Sequence, residues 1–146
     1  MIMTRETAPH SATNVTVHLV SPDGTKEYKS YWQSFRMNPT VETASTIPLG
    51  GVTYDEIKGA RTGTGTISGG FIGLEFIKDW KKLVWDELCS PMANFTMTVE
   101  LCFPSTGETH YIILMGVSIT SPSIDIPENG AVTQSIDFKF KDWDAV

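Results

Sequence analysis

Alternation with a period of two recurs along this chain and narrows its fold more than any other feature. In FTMTVELCF, residues 95–103, Phe95, Met97, Val99, Leu101 and Phe103 share one side, and Thr96, Thr98, Glu100 and Cys102 share the other. In AVTQSIDFKF, residues 131–140, Val132, Ile136, Phe138 and Phe140 share a side with Gln134, opposite Thr133, Ser135, Asp137 and Lys139. Successive side chains of a strand point to opposite faces, so both segments read as half-buried strands. NVTVHLV repeats the pattern with Val15, Val17 and Leu19. THYIILMGVSIT places Tyr111, Ile113, Met115, Val117 and Ile119 together, with Ile112 and Leu114 interrupting the polar side. KEYKSYWQSFRM reads as one aromatic-rich strand running to about Met37.

ARTGTGTISGGF is a strand of another kind, with Thr62, Thr64 and Thr66 on one face and small residues on the other. Glycine weakens a strand unless another group must come close, so close packing is expected at Gly63 or Gly65. A dinucleotide-binding reading of this stretch fails, because the third required glycine position holds Ser68. The segments SPDGT, PSTGE and SPSIDIPENG supply turns.

LEFIKDWKKLVWDELC predicts a helix over residues 74–89, with Ile77, Trp80, Val84 and Leu88 as its core face and Trp85 off that stripe. Residues 38–53 predict a long irregular loop, punctuated by Pro39, Pro48 and Gly50-Gly51. Such a loop in a small domain is usually functional. Residues 1–13 predict a flexible arm, and 14–146 a single domain. The fold class expected is mainly β: an antiparallel β-sandwich or barrel of about seven strands with one flanking α-helix.

Composition excludes several functions. With 11 basic and 17 acidic residues the chain carries −6, a poor balance for gripping nucleic acid phosphate. Cys89 and Cys102 fit neither a disulfide scaffold nor a zinc motif, and read as reduced thiols. His10, His18 and His110 fall in no catalytic or metal-binding spacing, so no enzyme activity, cofactor or metal is expected. The opening residues show no secretion signal, and no apolar run is long enough to span a membrane. What stands out is the hydroxyl-rich face repeated on three strands by Thr62, Thr64, Thr66, Thr96, Thr98, Thr133 and Ser135.

The order of a GTGTISGGF strand, an amphipathic helix, a strong hairpin, GVSITSPSIDIPENG and a closing SIDFKFKDWD strand resembles bacteriophage tail tube proteins. The likeness covers residues 14–144 and is strongest to the inner tubes of contractile tails, with related tubes in type VI secretion. It implies a structural virion protein, assembled in the host cytoplasm, whose six-fold rings stack into a hollow tube through which DNA passes without specific binding. It implies sheath, tape measure, baseplate and tail terminator proteins as partners, and strands joined across subunits in one inner barrel. Thr96, Thr98, Glu100, Thr133, Ser135 and Asp137 then become lumen-facing candidates, in a wall expected to be acidic, with Lys139 and Lys141 near a rim. The family's inter-ring loop falls by position on residues 38–53, with Asn38, Pro39, Val41, Ile47, Pro48 and Leu49 as candidates. The alternatives are a type VI or other tail-related tube or terminator subunit, and a monomeric β-sandwich binding module.

Overall fold

A computed structural model describes residues 15–46, 55–104 and 106–146, with the side chains of 44–46 and 55–58 outside the description. The arm at 1–13 and the candidates Ile47, Pro48 and Leu49 therefore lie outside the described residues. The strands are β1 (Val15–Val20), β2 (Glu27–Trp32), β3 (Ser34–Thr46), β4 (Asp55–Gly70), β5 (Phe95–Phe103), β6 (Glu108–Asp125), β7 (Thr133–Phe140) and β8 (Asp142–Ala145). Helix α1 spans Leu74–Trp80, and a π-helical turn continues it over Lys81–Trp85.

All strands belong to one antiparallel sheet of order β2-β1-β5-β6-β7-β4-β3, with β8 beside β6. The long strand β6 is its spine. The first half of β6 pairs with β5 and β8, and the second half pairs with β7. The sheet thus divides into a first leaf, β2-β1-β5-β6-β8, and a second leaf, β6-β7-β4-β3. It is sandwich-like and does not close into a barrel. The inner sides of both leaves meet in one core: Val17, Leu19, Met97 and Val99 from the first, Ile67, Ile136 and Phe138 from the second, and Val117 and Ile119 from β6.

The expected strand KEYKSYWQSFRM is two strands. It turns at Gln33, whose N–H donates to the Ser68 carbonyl at 3.1 Å, and crosses from the first leaf to the second. In β6 the expected face breaks at Gly116. Leu114 is buried, whereas Met115 and Tyr111 are exposed. Phe95 pairs with Val117 but Met97 pairs with Leu114, so β6 carries an extra residue there. Gly116 has φ 64°, the left-handed conformation of a glycine bulge, and the bulge switches which side faces the core.

The expected close packing at Gly63 and Gly65 is present. A Cβ on Gly63 would lie 2.3 Å from the Phe140 ring, and one on Gly65 would lie 2.4 Å from Phe138. Two aromatic rings of β7 therefore occupy the space above two glycines of β4.

The helix is shorter than residues 74–89, and its core face is corrected accordingly. Ile77, Trp80 and Val84 are half-buried, while Leu88, beyond the last helical turn, is 91% exposed. The fully buried anchor is Phe76, which meets Tyr28 edge-on at 5.2 Å and Phe95 at 5.9 Å between ring centres. The widened turn at Lys81–Trp85 breaks the 3.6-residue repeat on which the Leu88 expectation rested.

The segment 38–46 is not an irregular loop. It is the outer part of β3, paired with β4 from Asn38↔Thr64 to Thr46↔Asp55, with a register shift between Val41 and Thr43. Residues 38–43 are exposed on both faces, so this part of the hairpin stands beyond the core as a two-stranded ribbon.

β8 adds a strand to the expected count. Its register with β6 runs Ile112↔Ala145, Ile113↔Asp144, Leu114↔Trp143 and Met115↔Asp142, and Val146 exchanges both backbone bonds with Tyr111. The N–H groups of Trp143 and Ala145, which alternate away from β6, donate to the carboxylates of Asp142 and Asp144, both at 2.9 Å.

Candidate assembly surface

The outer side of the second leaf is mostly hydroxyl. Register places Ser34, Ser68, Ser135 and Ser123 in one row across β3, β4, β7 and β6. Arg36, Thr66, Asp137 and Ser121 form the next row, and Asn38, Thr64, Lys139 and Ser118 the one after. These side chains bond to one another and to the sheet: Thr66 donates to Asp137 at 2.8 Å, Thr120 to the Asp137 carbonyl at 3.1 Å, and Ser123 to the Ser135 carbonyl at 3.0 Å. Short side chains tied down this way leave a smooth surface. Arg36 and Lys139 balance Asp137 and Asp125 on it, so the face is close to neutral rather than acidic. Lys139 stands in the last of these rows, between Thr64 and Ser118, one residue before the end of β7.

Only half of the lumen-facing candidates lie here. Thr133, Ser135 and Asp137 belong to this face, whereas Thr96, Thr98 and Glu100 lie on the outer side of the first leaf, opposite His18 and Thr16 of β1. Because both leaves turn their inner sides to one core, the two outer sides point apart. A single channel wall can take one set. Arg36, Ser34, Ser68, Ser121 and Ser123 were not singled out from sequence, since their rows exist only once register joins four separate strands.

The face is bounded by two unpaired margins. Among the described residues, β3 pairs only with β4, and β6 from Ser118 to Asp125 pairs only with β7. Pro39 and Pro122 lie on these margin strands, where a residue without an N–H is tolerated. Candidates Asn38, Pro39 and Val41 are exposed where the ribbon leaves this leaf.

Helix α1 is clamped to the β1–β2 turn by charge. Asp79 accepts bonds from the Tyr28 hydroxyl and, at 3.0 Å, from Lys26, which also reaches Glu75 at 3.4 Å. The Tyr28 hydrogen bond, then Lys26, holds the Asp79 carboxyl below the usual carboxylate range. Burial, then Asp79, pushes the Tyr28 hydroxyl up, and the Asp79 bond raises Lys26. A carboxyl stronger in the folded than in the unfolded chain stabilises the fold at neutral pH, and that contribution disappears as pH falls through its folded value. Asp79→Asn is therefore expected to lower the melting temperature near neutrality by a few degrees and to flatten its decline between about pH 5 and about pH 2. Calorimetry across that range checks it; an unchanged acid slope counts against the clamp.

Gln134 is the polar member of the buried side of β7. Its Oε1 accepts the Ile72 N–H at 2.5 Å, fixing the chain as it leaves β4 for α1. On the other flank Trp80 Nε1 donates to the Ile119 carbonyl at 2.9 Å, tying the helix to β6. Among the described residues there is no grouping of three or more potential metal ligands, and no helix is long and apolar enough to cross a membrane.

No protein-family model matches the chain, and no curated protein matches it in sequence. Solved structures match in fold. A chain of the anti-feeding prophage cap, described as its tube-terminating cap, aligns with TM-score 0.69 and 16% identity over 100% of this chain and 95% of that one. A chain of the anti-feeding prophage baseplate, 6-fold symmetrised, gives 0.70 and 10% over 99% and 97%. A chain of the extended sheath–tube complex of PVC, an extracellular contractile injection system, gives 0.65 and 17% over 99% of each. Likeness at these identities is a likeness of fold, and it spans the whole domain.

Proposed function

We propose that this chain is a structural subunit of the inner tube of a phage tail or a related contractile injection particle. Copies join side by side into rings, and rings stack around a channel lined by the outer side of the second leaf. One observation carries the reading: a single hydroxyl face lies between two open strand margins. The pairs β6/β7, β7/β4 and β4/β3 are each antiparallel, so β3 and β6 run in opposite senses. A neighbour's β6 laid against β3 thus continues the antiparallel order, and closure of the ring covers both margins of the second leaf. Six copies per ring follow the family resemblance and agree with the 6-fold symmetry of one matched assembly.

In this reading the wall is made of Thr64, Thr66, Ser68, Ser135 and their row partners. It works by offering transiting DNA nothing to hold. Its side chains are short, the hydroxyls of Thr66, Thr120 and Ser123 are already bonded within the sheet, and the few charges cancel. Sheath, tape measure, baseplate and terminator remain the expected partners. A second reading, a ring that ends the tube rather than extends it, is favoured by the match to a tube-terminating cap. The two separate on polymerisation, since a terminator forms one ring and stops.

The test is to purify the protein, with and without an initiating tail complex, and measure mass and image the product. Stacked hollow rings are expected. A persistent monomer under both conditions overturns the reading, and single rings favour the terminator. The wall itself is tested by Thr133→Lys with Ser135→Lys. Both positions are half-buried on the outer side of β7, away from the core, where a substitution costs about 0.5 kcal/mol, so tubes should form. Repetition around every ring would make the channel cationic, and DNA ejection should slow strongly, most of all at low salt. Normal ejection at low salt from particles carrying the substituted tube removes this face from the channel.

A further inference from the structure

The two margins of the second leaf differ in length. The margin of β6 runs from Ser118 to Asp125, whereas β3 continues from Ser34 to Thr46. A neighbour's β6 therefore covers only part of β3, and its register must be chosen. On the wall side β6 presents Ser118, Ser121, Ser123 and Asp125, and β3 presents Arg36, Asn38, Thr40 and, by continued alternation, Glu42. Asp137 is bonded to Thr66. Arg36, Glu42, Asp125 and Lys139 are exposed, and none has a hydrogen-bond or ion-pair partner among the described residues. Arg36 and Asp125 stand on opposite margins, three strand spacings apart, so they cannot meet within one copy.

We infer that Arg36 of one copy pairs with Asp125 of the next, and that this ion pair sets the register around the ring. The inference rests on the tube reading and deepens it by naming the residues that recognise a neighbour. Within one copy Arg36 shares a row with Ser121, four residues short of Asp125. Setting Arg36 opposite Asp125 therefore staggers each copy by four residues against the last. At about 3.3 Å per residue and about 4.8 Å between strands, that stagger over the leaf's four strands tilts them by about 35°. Sheets that close on themselves tilt their strands by roughly 35–45°. One row less gives only about 19°. One row more gives about 46° and sets Glu42 across Ser121 from Asp137, a like charge. In the matched register Glu42 lies across Ser118 from Lys139, an opposite charge, and Asn38 and Thr40 meet the neutral Ser123 and Ser121. That register also sets Pro39 opposite Pro122, so the two residues without an N–H share one place in the ladder instead of leaving two gaps.

The experiment uses the full chain with an initiating tail complex and reads the mass of tube formed. Arg36→Glu and Asp125→Arg should each cut it by more than about ten-fold, through a like-charge pair repeated at every joint. Both should melt as the parental subunit does, because neither side chain has a partner in the free chain. The double variant should recover to within about two-fold of the parental yield. In a Cys89→Ser, Cys102→Ser background, Arg36→Cys with Asp125→Cys should link assembled copies covalently on oxidation. Arg36→Cys with Ser123→Cys, one row out of register, should link far more slowly. Single variants of parental yield, a double variant no better than the singles, or faster linking through Ser123 each overturn the register and leave the tube reading intact. Failure of the unsubstituted chain to assemble overturns both.

Discussion

Replacing residues 42–60 with an Asn-Gly turn is expected to give a subunit that folds normally and does not lengthen a tube. The cut joins Val41 to Arg61, which already face each other in the ribbon, and Asn-Gly is the turn such a pair of strands accepts. The described residues of the excised stretch, Glu42, Thr43, Gly59 and Ala60, are exposed, so stability should change by no more than about 1 kcal/mol. A lone two-stranded ribbon is marginal in water, and its length makes sense only against a neighbour. Denaturant unfolding and electron microscopy of the same preparation check both halves of the expectation. Tubes of parental length from the shortened chain would falsify the ribbon's role in stacking.

The second large effect is on folding. Gly65→Val should destabilise the subunit by at least about 3 kcal/mol, and the product is expected largely in aggregates. The new Cβ would sit 2.4 Å from Phe138 and 2.6 Å from the Arg36 carbonyl, so it is blocked by a core ring and by the backbone of the next strand. Phe138 cannot swing clear, because Phe35 and Phe140 each pack against it at 6.4 Å between ring centres. Thr64→Val, one residue away on the outer side, is the control and should be nearly neutral. A Gly65→Val protein that unfolds at the parental denaturant concentration would refute this account of the β4–β7 packing.

The same contrast explains which parts of the fold are legible in sequence. β1, β5 and β7 alternate cleanly because each has one side in the core and one in water, and Gly63 and Gly65 announce a close approach that is there. The ribbon is invisible to that signal, since a strand wet on both sides has no reason to alternate, and Pro39 further disguises it. β6 misleads because the bulge at Gly116 exchanges its faces halfway along. Gln33 hides the passage between leaves, since aromatic residues on both sides of it keep the run looking like one strand. Phe76 escaped notice because a helix that ends in a widened turn rests on one deep anchor rather than on a long stripe. The candidate wall was half legible: alternation finds the polar side of each strand, but only register tells which polar sides belong together.

The short strand β8 bears on growth in a way its size does not suggest. Its outward amides, Trp143 and Ala145, are occupied by the carboxylates of Asp142 and Asp144, so a passing strand finds no donors to seize. In the proposed tube this restricts the valence of each subunit. In that tube two complementary margins admit neighbours around the ring, the ribbon meets neighbours along the axis, and of the two edges of the first leaf, β2 and β8, the β8 edge is sealed by the chain's own side chains. A building block so restricted has one edge fewer on which to branch when many copies crowd together before assembly begins.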